Sequence, residues 1–337
     1  MDPVQMLGKL MAGEDLEMDE AGALLDAAAE GLEPALLGGL LVALRMKGET
    51  ADEIAGLVSA MRRHMTAVKP PAGAIDVCGT GGDGAQTFNV STTVALVVAA
   101  VGVPVAKHGN RAASSLCGSA DVLEALGVRI TLAPEEAQEV LEKVGMVFLF
   151  APSYHPALKQ VAIARKALGV RTIFNLLGPF ANPAGVRRQL VGVPSEAMAA
   201  RLAEVGSRLG YERLMVVAGN DGLDELSTGA VSVVYDVEGV SVRKYTINSD
   251  DYGFVKAKIS DLAGGDAQAS AELIRAILAG RQGPPRDIVL LNAAAALVVA
   301  GVASDFAAGM ARAGEVIDSG AAATLLERLA VETQKYA

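Results

Sequence analysis

Residues 74–102 read AIDVCGTGGDGAQTFNVSTTVALVVAAVG and decide the fold class of this 337-residue chain. A short apolar run over 75–78 ends in the glycine-rich loop 79–84, and a long apolar segment follows from Asn89. Each glycine destabilises ordinary secondary structure by about 0.5–1 kcal/mol. The four glycines of this loop therefore predict a strand and a helix joined by a turn whose bare backbone amides face a ligand.

Beyond this stretch, short β-branched runs alternate with helical segments, which predicts an α/β domain with a largely parallel sheet. The predicted strands are 75–78, 103–106, 128–131, 146–150, 189–193, 214–218, 231–237 and 240–245. Glu238 and Gly239 separate the last two runs, so we expect these to form an antiparallel hairpin at one edge of the sheet.

Residues 3–67 predict only helices, because Leu and Ala recur at helical spacing and no strand-like alternation is present. Thr50 and Glu53 match a capping box at the start of one of these helices. A Pro-containing linker follows the last of them. We expect a small all-helical domain over 1–68 and a larger α/β domain over 74–337. The segment 155–185 contains Gly178-Pro179 and Asn182-Pro183, and one interpretation of it is a helical excursion that returns to the N-terminal helices.

Composition restricts the possible partners. The net charge of −10 argues against nucleic acid, whose binding depends on a basic surface. No apolar run is long enough to cross a bilayer, so we expect no membrane partner. Cys78 and Cys117 suggest neither a disulfide framework nor a metal site. The acidic start lacks a signal pattern, and we therefore expect a cytoplasmic protein.

The glycine loop admits more than one interpretation. Gly79, Gly81 and Gly84 match G-x-G-x-x-G, the fingerprint of a dinucleotide site. A polar run separates the third glycine from the helix, however, and the next strand is not followed by the acidic residue that would bind a ribose. No Gly-Lys-Ser/Thr follows either, so the Walker A pattern fails. A phosphate cradle is favoured, while an NAD site and a purely structural turn remain alternatives.

A second loop strengthens the interpretation as a phosphate site. KHGNRAASS, residues 107–115, follows the next predicted strand and adds Lys107 and Arg111, while Asn89, Ser91 and Thr92 add polar groups at the helix start. Two anion-binding loops on successive strands predict one polyphosphate ligand.

A third loop, GNDGLDELSTG over 219–229, follows the predicted strand 214–218 and carries Asp224 and Glu225. Mg²⁺ commonly binds through one or two carboxylates together with substrate phosphates. An isolated acidic pair is usually a solvated turn, but beside a phosphate site it predicts a magnesium site.

Four stretches closely resemble the anthranilate phosphoribosyltransferase family: GTGGDGAQTFNVST (79–92), KHGNRAASSLCGSADVLEALG (107–127), HPALKQVAIARKALGVRTIFNLLGPFANPAG (155–185) and DGLDELSTG (221–229). The resemblance runs from end to end. It implies a nucleoside phosphorylase-like fold, with a small helical domain beside a larger α/β domain with a central, mostly parallel sheet. It further implies that the segment around 165–185 rejoins the helical domain. It also implies transfer of phosphoribose from phosphoribosyl pyrophosphate (PRPP) to the anthranilate amine in tryptophan biosynthesis, with Mg²⁺ (two ions) and a homodimer joined through the helical domains.

The resemblance also implies the site residues. PRPP would be bound by the glycine loop, the following helix start and the second loop: Gly79, Gly82, Asp83, Thr87, Asn89, Val90, Ser91, Thr92, Lys107, His108, Gly109, Asn110, Arg111, Ala112, Ala113, Ser114, Ser115 and Ser119. Mg²⁺ would be bound by Ser91, Asp224 and Glu225, and anthranilate by Gly79, His108, Asn110, Arg165 and Pro179. The Arg165 guanidinium suits the benzoate carboxylate, which it can bind with two hydrogen bonds.

We expect neither a covalent nucleophile nor an obligatory base, because the aniline nitrogen is already a neutral nucleophile. His108 is therefore not expected to act as a base. One departure from the family is Leu116-Cys117, where members often have a basic residue and then Ser, and the lost charge would weaken PRPP binding. The alternatives are a pyrimidine nucleoside phosphorylase, a non-catalytic relative that binds nucleic acid, and an NAD-dependent oxidoreductase.

Overall fold

The computed structural model describes residues 1–112 and 116–336. Its N-terminal part consists of helices α1 (Pro3–Met11), α2 (Met18–Glu30), α3 (Pro34–Lys47) and α4 (Ala51–His64). The predicted capping box begins α4, because the Thr50 hydroxyl accepts from the Glu53 amide at 3.2 Å and the Glu53 carboxylate accepts from the Thr50 amide at 2.8 Å. Leu and Ala side chains of these helices pack together as a buried apolar cluster.

The described residues form a mixed sheet whose strands lie in the order β3-β2-β1-β4-β5-β6-β7. Neighbours from β3 to β5 run parallel, and β6 and β7 add antiparallel pairs at one edge. The α/β class and the edge hairpin are therefore confirmed. The strands are β1 (Ile75–Gly79), β2 (Val105–Gly109), β3 (Met146–Phe150), β4 (Arg188–Gly192), β5 (Arg213–Gly219), β6 (Ser232–Glu238) and β7 (Ser241–Ile247).

Two strand predictions are wrong in detail. Residues 128–131 form no strand, because their backbone is held outside the sheet; for example, the Arg129 amide donates to the Thr333 hydroxyl at 3.1 Å. The second strand begins and ends later than predicted, since β2 pairs with β3 as far as Gly109. Lys107 and His108 thus belong to the strand and not to the loop after it.

The remaining helices cover both faces of the sheet. Helices α5 and α13 pack against one face, and α11 packs against β5 and β6 on the other, next to α4. These helices are α5 (Val90–Ala100), α6 (Ser119–Ala125), α7 (Pro134–Val144), α8 (Ala151–Tyr154), α9 (Lys159–Leu168), α10 (Phe174–Leu177), α11 (Glu196–Arg208), α12 (Ala267–Leu278), α13 (Pro284–Ala300), α14 (Phe306–Asp318) and α15 (Ala321–Gln334). Over the described residues, every helix is too short or too polar to cross a membrane.

The segment after β3 leaves the sheet and packs on the N-terminal helices. Helix α9 contacts α2 and α3, and α10 contacts α4. Apolar residues of this segment share a buried cluster with the N-terminal helices and with one face of β4 and β5. The division into domains at 1–68 and 74–337 remains a proposal that this packing supports.

The strand order places a topological switch between β1 and β4. From β1 the chain first adds β2 and β3 on one side, and later adds β4 and β5 on the other. In open α/β sheets, ligands bind at the carboxyl ends of the strands that flank such a switch. The loops after β1 and β4 are therefore the place to look for a functional site.

Candidate functional site

The glycine loop begins at the switch point, and its amides meet a carboxylate from a distant loop. The Gly81 amide donates to the Asp224 Oδ2 atom at 2.7 Å. A Cβ at Gly79 would collide with the same carboxylate, so only glycine permits this approach. Gly82 has a φ of +79° and a Cβ there would collide with the Arg171 guanidinium, which donates to the Gly82 carbonyl at 3.3 Å.

The start of α5 leaves polar atoms without partners beside this loop. The Asn89 Nδ2 atom donates to the Cys117 carbonyl at 3.2 Å, but the Asn89 Oδ1 and Thr92 Oγ1 atoms are buried with no hydrogen-bond partner among the described residues. Such orphaned groups are rare in folded proteins and point to a ligand that completes them. Val90 is buried in the core, and the Thr87 backbone forms an isolated bridge with Ala263.

Lys107 is a buried cation beneath the site and not a surface charge of a loop. Its side chain is 1% exposed and donates to the Val77 carbonyl at 2.6 Å and to the Ser91 hydroxyl at 3.4 Å. A buried ammonium is costly unless it is paired. The positive charge of Lys107 favours the ionised form of Glu225. If Lys107 also attracts a bound phosphate, as the sequence predicts, it does so from a buried position in β2.

Two buried carboxylates are adjacent in the loop after β5, and Asp83 of the glycine loop lies near enough to act on one of them. Burial and the negative charge of Asp83 raise the pKa of Asp224 to about 7. Burial and the charge of Asp224 also raise the pKa of Glu225 well above its usual range. The Asp83 Oδ2 atom is buried with no described partner. Repelling oxygens of this kind suit a divalent cation.

The described residues contain no group of three or more carboxylate, imidazole or thiol side chains already arranged around one metal position. Mg²⁺ retains several waters and commonly binds through one or two carboxylates together with substrate phosphates. The donor set of Ser91, Asp224 and Glu225 therefore fits Mg²⁺ bound with a phosphate ligand better than Mg²⁺ bound by protein alone.

The loop after β2 is held by helix α6. Arg111 forms ion pairs with Asp121 at 2.9 Å and Glu124 at 2.6 Å, so its guanidinium is already occupied by acidic side chains. The Ala112 amide donates to Asp121 at 3.0 Å, and the Ser119 hydroxyl donates to the Asn110 carbonyl at 3.2 Å.

Three residues of this loop that are predicted to bind PRPP, Ala113, Ser114 and Ser115, lie outside the described residues. Gly109 touches Ser119 so closely that no side chain fits at this position.

Two of the residues predicted for the acceptor, His108 and Pro179, lie at the turn after α10. His108 is buried, and its Nδ1 atom lies 3.2 Å from the Gly178 carbonyl. Since a carbonyl can only accept, Nδ1 carries the proton and the Nε2 atom, which has no described partner, is an acceptor. Burial lowers the pKa of His108 to about 3, so the ring is neutral. Pro179 is buried beside it.

Arg165 is half-buried on α9, where burial lowers the pKa of its guanidinium. It lies 5.7 Å from the centre of the Phe174 ring and forms no ion pair with any residue in 1–112 or 116–336. A partly buried, unpaired guanidinium is available to bind a carboxylate.

Comparison with known proteins identifies the family. Residues 4–65 match the helical bundle domain of a glycosyl transferase family, and residues 71–323 match the a/b domain of the same family. The anthranilate phosphoribosyltransferase of Rhodopseudomonas palustris (strain BisB5) is 48% identical over 329 residues, which cover 97% of each chain. This chain belongs to the anthranilate phosphoribosyltransferase family.

Solved structures of anthranilate phosphoribosyltransferases agree with this assignment. The protein from Thermus thermophilus is 43% identical, with a TM-score of 0.92 over 98% of this chain and 99% of that one. The protein from Saccharomyces cerevisiae, in complex with PRPP and Mg, is 27% identical, with a TM-score of 0.90 over 99% of this chain and 98% of that one. As a member of this family, the chain is a glycosyltransferase.

Two residues of this anthranilate phosphoribosyltransferase family member contact the site loops but are not predicted from the sequence. Arg171 contacts the glycine loop, and its position inside the quoted motif 155–185 was the available signal. Asn292 on α13 donates to the Leu226 carbonyl and accepts from the Leu226 amide, each at 2.9 Å, and so holds the loop that carries Asp224 and Glu225. Nothing in the apolar run around Asn292 indicates this role.

Proposed function

We propose that this chain catalyses the Mg²⁺-dependent transfer of 5-phosphoribose from PRPP to the anthranilate amine, which yields N-(5-phosphoribosyl)anthranilate and pyrophosphate in tryptophan biosynthesis. The observation that carries the proposal is the contact at the switch point, where the Gly81 amide and the Asp224 carboxylate are 2.7 Å apart. Loop amides suited to a phosphate and carboxylates suited to a cation thus share one position. The PRPP and Mg bound to the yeast relative support the same ligands here.

We propose that the PRPP contacts expected from the sequence hold, with the glycine loop and the α5 start facing the phosphates. The orphaned Asn89 Oδ1 and Thr92 Oγ1 atoms support this arrangement. Arg111 would first have to release Asp121 and Glu124, so its role depends on a rearrangement of its ion pairs.

Ser91, Asp224 and Glu225 are the proposed Mg²⁺ ligands, and two ions are proposed. When bound, Mg²⁺ would neutralise negative charge on the departing pyrophosphate. The chain itself would contribute backbone amides of the glycine loop and the positive charge of the buried Lys107 ammonium. The bond from the ribose C1 to the pyrophosphate oxygen breaks, a bond to the amine nitrogen forms, and that nitrogen loses a proton to solvent.

For the acceptor, we propose contacts with Gly79, His108, Asn110, Arg165 and Pro179. The unpaired Arg165 guanidinium would bind the benzoate carboxylate and orient the amine. A neutral His108 with a pKa of about 3 is a weak base, which supports a mechanism without an obligatory base. A homodimer joined through the helical domains and a cytoplasmic location complete the proposal.

Anthranilate fluorescence tests the function. We expect the signal to disappear when PRPP and Mg²⁺ are added together to the protein and anthranilate, and to persist with either one alone. A signal that persists with both present would contradict the proposal. Phosphorolysis of thymidine in a parallel assay would instead favour the pyrimidine nucleoside phosphorylase alternative.

A further inference from the structure

The short turn over 178–180 is held by side chains from three separate elements. The Gly178 carbonyl accepts from His108 Nδ1 on β2 at 3.2 Å. The next two carbonyls are held more tightly: that of Pro179 accepts from Gln189 Nε2 on β4 at 2.6 Å, and that of Phe180 accepts from Arg62 Nε on α4 at 2.9 Å. Three consecutive carbonyls therefore take their donors from the sheet and from the N-terminal helices.

These donors are linked behind the turn by Tyr211. Its hydroxyl donates to the Gln189 Oε1 atom at 2.9 Å and accepts from Arg62 Nη2 at 3.0 Å. The ring of Tyr211 also packs edge-on against Phe180, with 5.9 Å between ring centres. Because the Pro179 carbonyl needs a donor and Tyr211 supplies one, only one orientation of the Gln189 amide satisfies both contacts.

Asp76 completes the network at the centre of the sheet. It is fully buried, and its carboxylate accepts from Asn182 Nδ2 at 2.8 Å, from Gln189 Nε2 at 3.3 Å and from the His108 amide at 3.2 Å. All three neighbours are donors, so the carboxylate serves as an acceptor. The same network thus holds the backbone of His108 and the carbonyl of Pro179.

We propose that Arg62, Tyr211 and Gln189 are positioning residues for the acceptor half of the reaction. They hold the turn over 178–180 in the place where Pro179 and His108 face anthranilate, and Arg62 connects that turn to the N-terminal helices. This inference rests on the proposed function. Among the described residues, none of the three side chains forms a hydrogen bond with residues 79–84, 224 or 225, so we expect anthranilate binding to depend on them more than PRPP binding does.

The variants Tyr211→Phe and Gln189→Met test the inference, since each removes hydrogen-bonding atoms while it largely keeps the shape of the side chain. We expect each variant to raise the KM for anthranilate or lower kcat at least about tenfold, while the KM for PRPP stays within about twofold, because the shortest hydrogen bonds of the network hold the turn. Two variants keep the test decisive if one of them fails to fold.

Tyr154→Phe is the matched control, because the buried Tyr154 hydroxyl donates to the Leu132 carbonyl at 2.9 Å and to none of the network residues. We expect it to lower stability without changing the ratio of the two KM values. Variants with normal kinetics, or with both KM values raised equally, would overturn the inference while leaving the proposed function intact. A wild-type protein without turnover would remove the proposed function, and this inference with it.

Discussion

Asp224 lies where the ends of β1 and β4 meet, and two glycines make room for it. A Cβ at Gly79 would collide with the Asp224 carboxylate, and one at Gly192 would collide with the Asp224 main-chain carbonyl. The side chain is thereby brought to the Gly81 amide. At Gly79 and Gly192 the absence of a Cβ atom matters because it leaves room for Asp224.

The double variant Asp224→Asn, Glu225→Gln tests the metal ligands. We expect turnover to fall at least about 1,000-fold at ordinary Mg²⁺, because the cation would lose several kcal/mol of charge interaction at the transition state. The assay is loss of anthranilate fluorescence. Glu238→Gln, at the exposed end of β6, is the control and should retain normal turnover.

Thermal unfolding separates this loss of activity from misfolding. Without Mg²⁺, Asp83, Asp224 and Glu225 repel one another, so the double variant should melt at the same or a higher temperature than the wild type. Added Mg²⁺ and PRPP should raise the melting temperature of the wild type only. Near-normal turnover in the double variant would remove the metal assignment.

Arg165→Ala tests the carboxylate contact. Charge-assisted hydrogen bonds contribute roughly 1.5–3 kcal/mol, so we expect the KM for anthranilate to rise about 10- to 100-fold with little change in the KM for PRPP. Steady-state kinetics with each substrate varied in turn measure both. Lys166→Ala, its exposed neighbour on α9, is the control and should leave both constants unchanged. An unchanged KM for anthranilate in Arg165→Ala would assign the carboxylate to another residue.

At the scale of elements, helix α13 supports the acidic loop from below. Asn292 is fully buried and also donates to the Ile288 carbonyl at 2.9 Å, within its own helix. Its bonds to the Leu226 amide and carbonyl satisfy a backbone that would otherwise be buried without partners. The helix thus sets the position of the residues that would bind the metal.

We expect Asn292→Ala to lower the free energy of unfolding by about 2–4 kcal/mol, because it leaves two backbone groups unsatisfied and a small cavity. We also expect turnover to require more Mg²⁺. Urea denaturation and an Mg²⁺ titration of activity measure the two effects. Thr333→Val, which removes a buried hydroxyl bonded to the Leu329 carbonyl on α15, should cost stability without a changed Mg²⁺ requirement. An equal change in both variants would contradict the role of Asn292.

Two strand boundaries could not be predicted from the local sequence pattern. Residues 103–106 and 128–131 each contain two apolar β-branched residues, yet only the first stretch overlaps a strand, because β2 pairs with β1 and β3 while 128–131 lies outside the sheet. The shift of β2 to Val105–Gly109 also explains Lys107. A lysine expected in a loop became a buried cation because the pairing with β3 extends over it.

At the scale of the whole molecule, the strand order unites loops that lie far apart in the chain. The switch between β1 and β4 places the glycine loop beside the loop after β5. The excursion after β3 brings Arg165 and Pro179 against the N-terminal helices, so the proposed acceptor residues lie next to the junction between the helical part and the sheet.

Exposed apolar residues on α1 test the proposed homodimer. Val4 and Met11 are 60% and 76% exposed and lie seven positions apart, on one face of the helix. We expect light scattering to give about twice the 34.5 kDa chain mass for the wild type, and one chain mass for Val4→Lys with Met11→Lys, since burying unpaired charges costs several kcal/mol. Val240→Lys with Val255→Lys, at two positions that are 88% and 82% exposed, is the control. A dimer that survives the α1 changes would place the interface elsewhere.

The sequence by itself determined the alternation of strands and helices, the capping box at Thr50, the glycine loop and the acidic pair, since each depends on neighbours within a few residues or on backbone conformation. Only the tertiary structure decided that Gly81 meets Asp224, 143 residues away, that Lys107 is buried, that Asn292 bonds the backbone of Leu226 and that Gln189 bonds the Pro179 carbonyl. Such contacts depend on strand order, register and burial, which no short window of sequence contains.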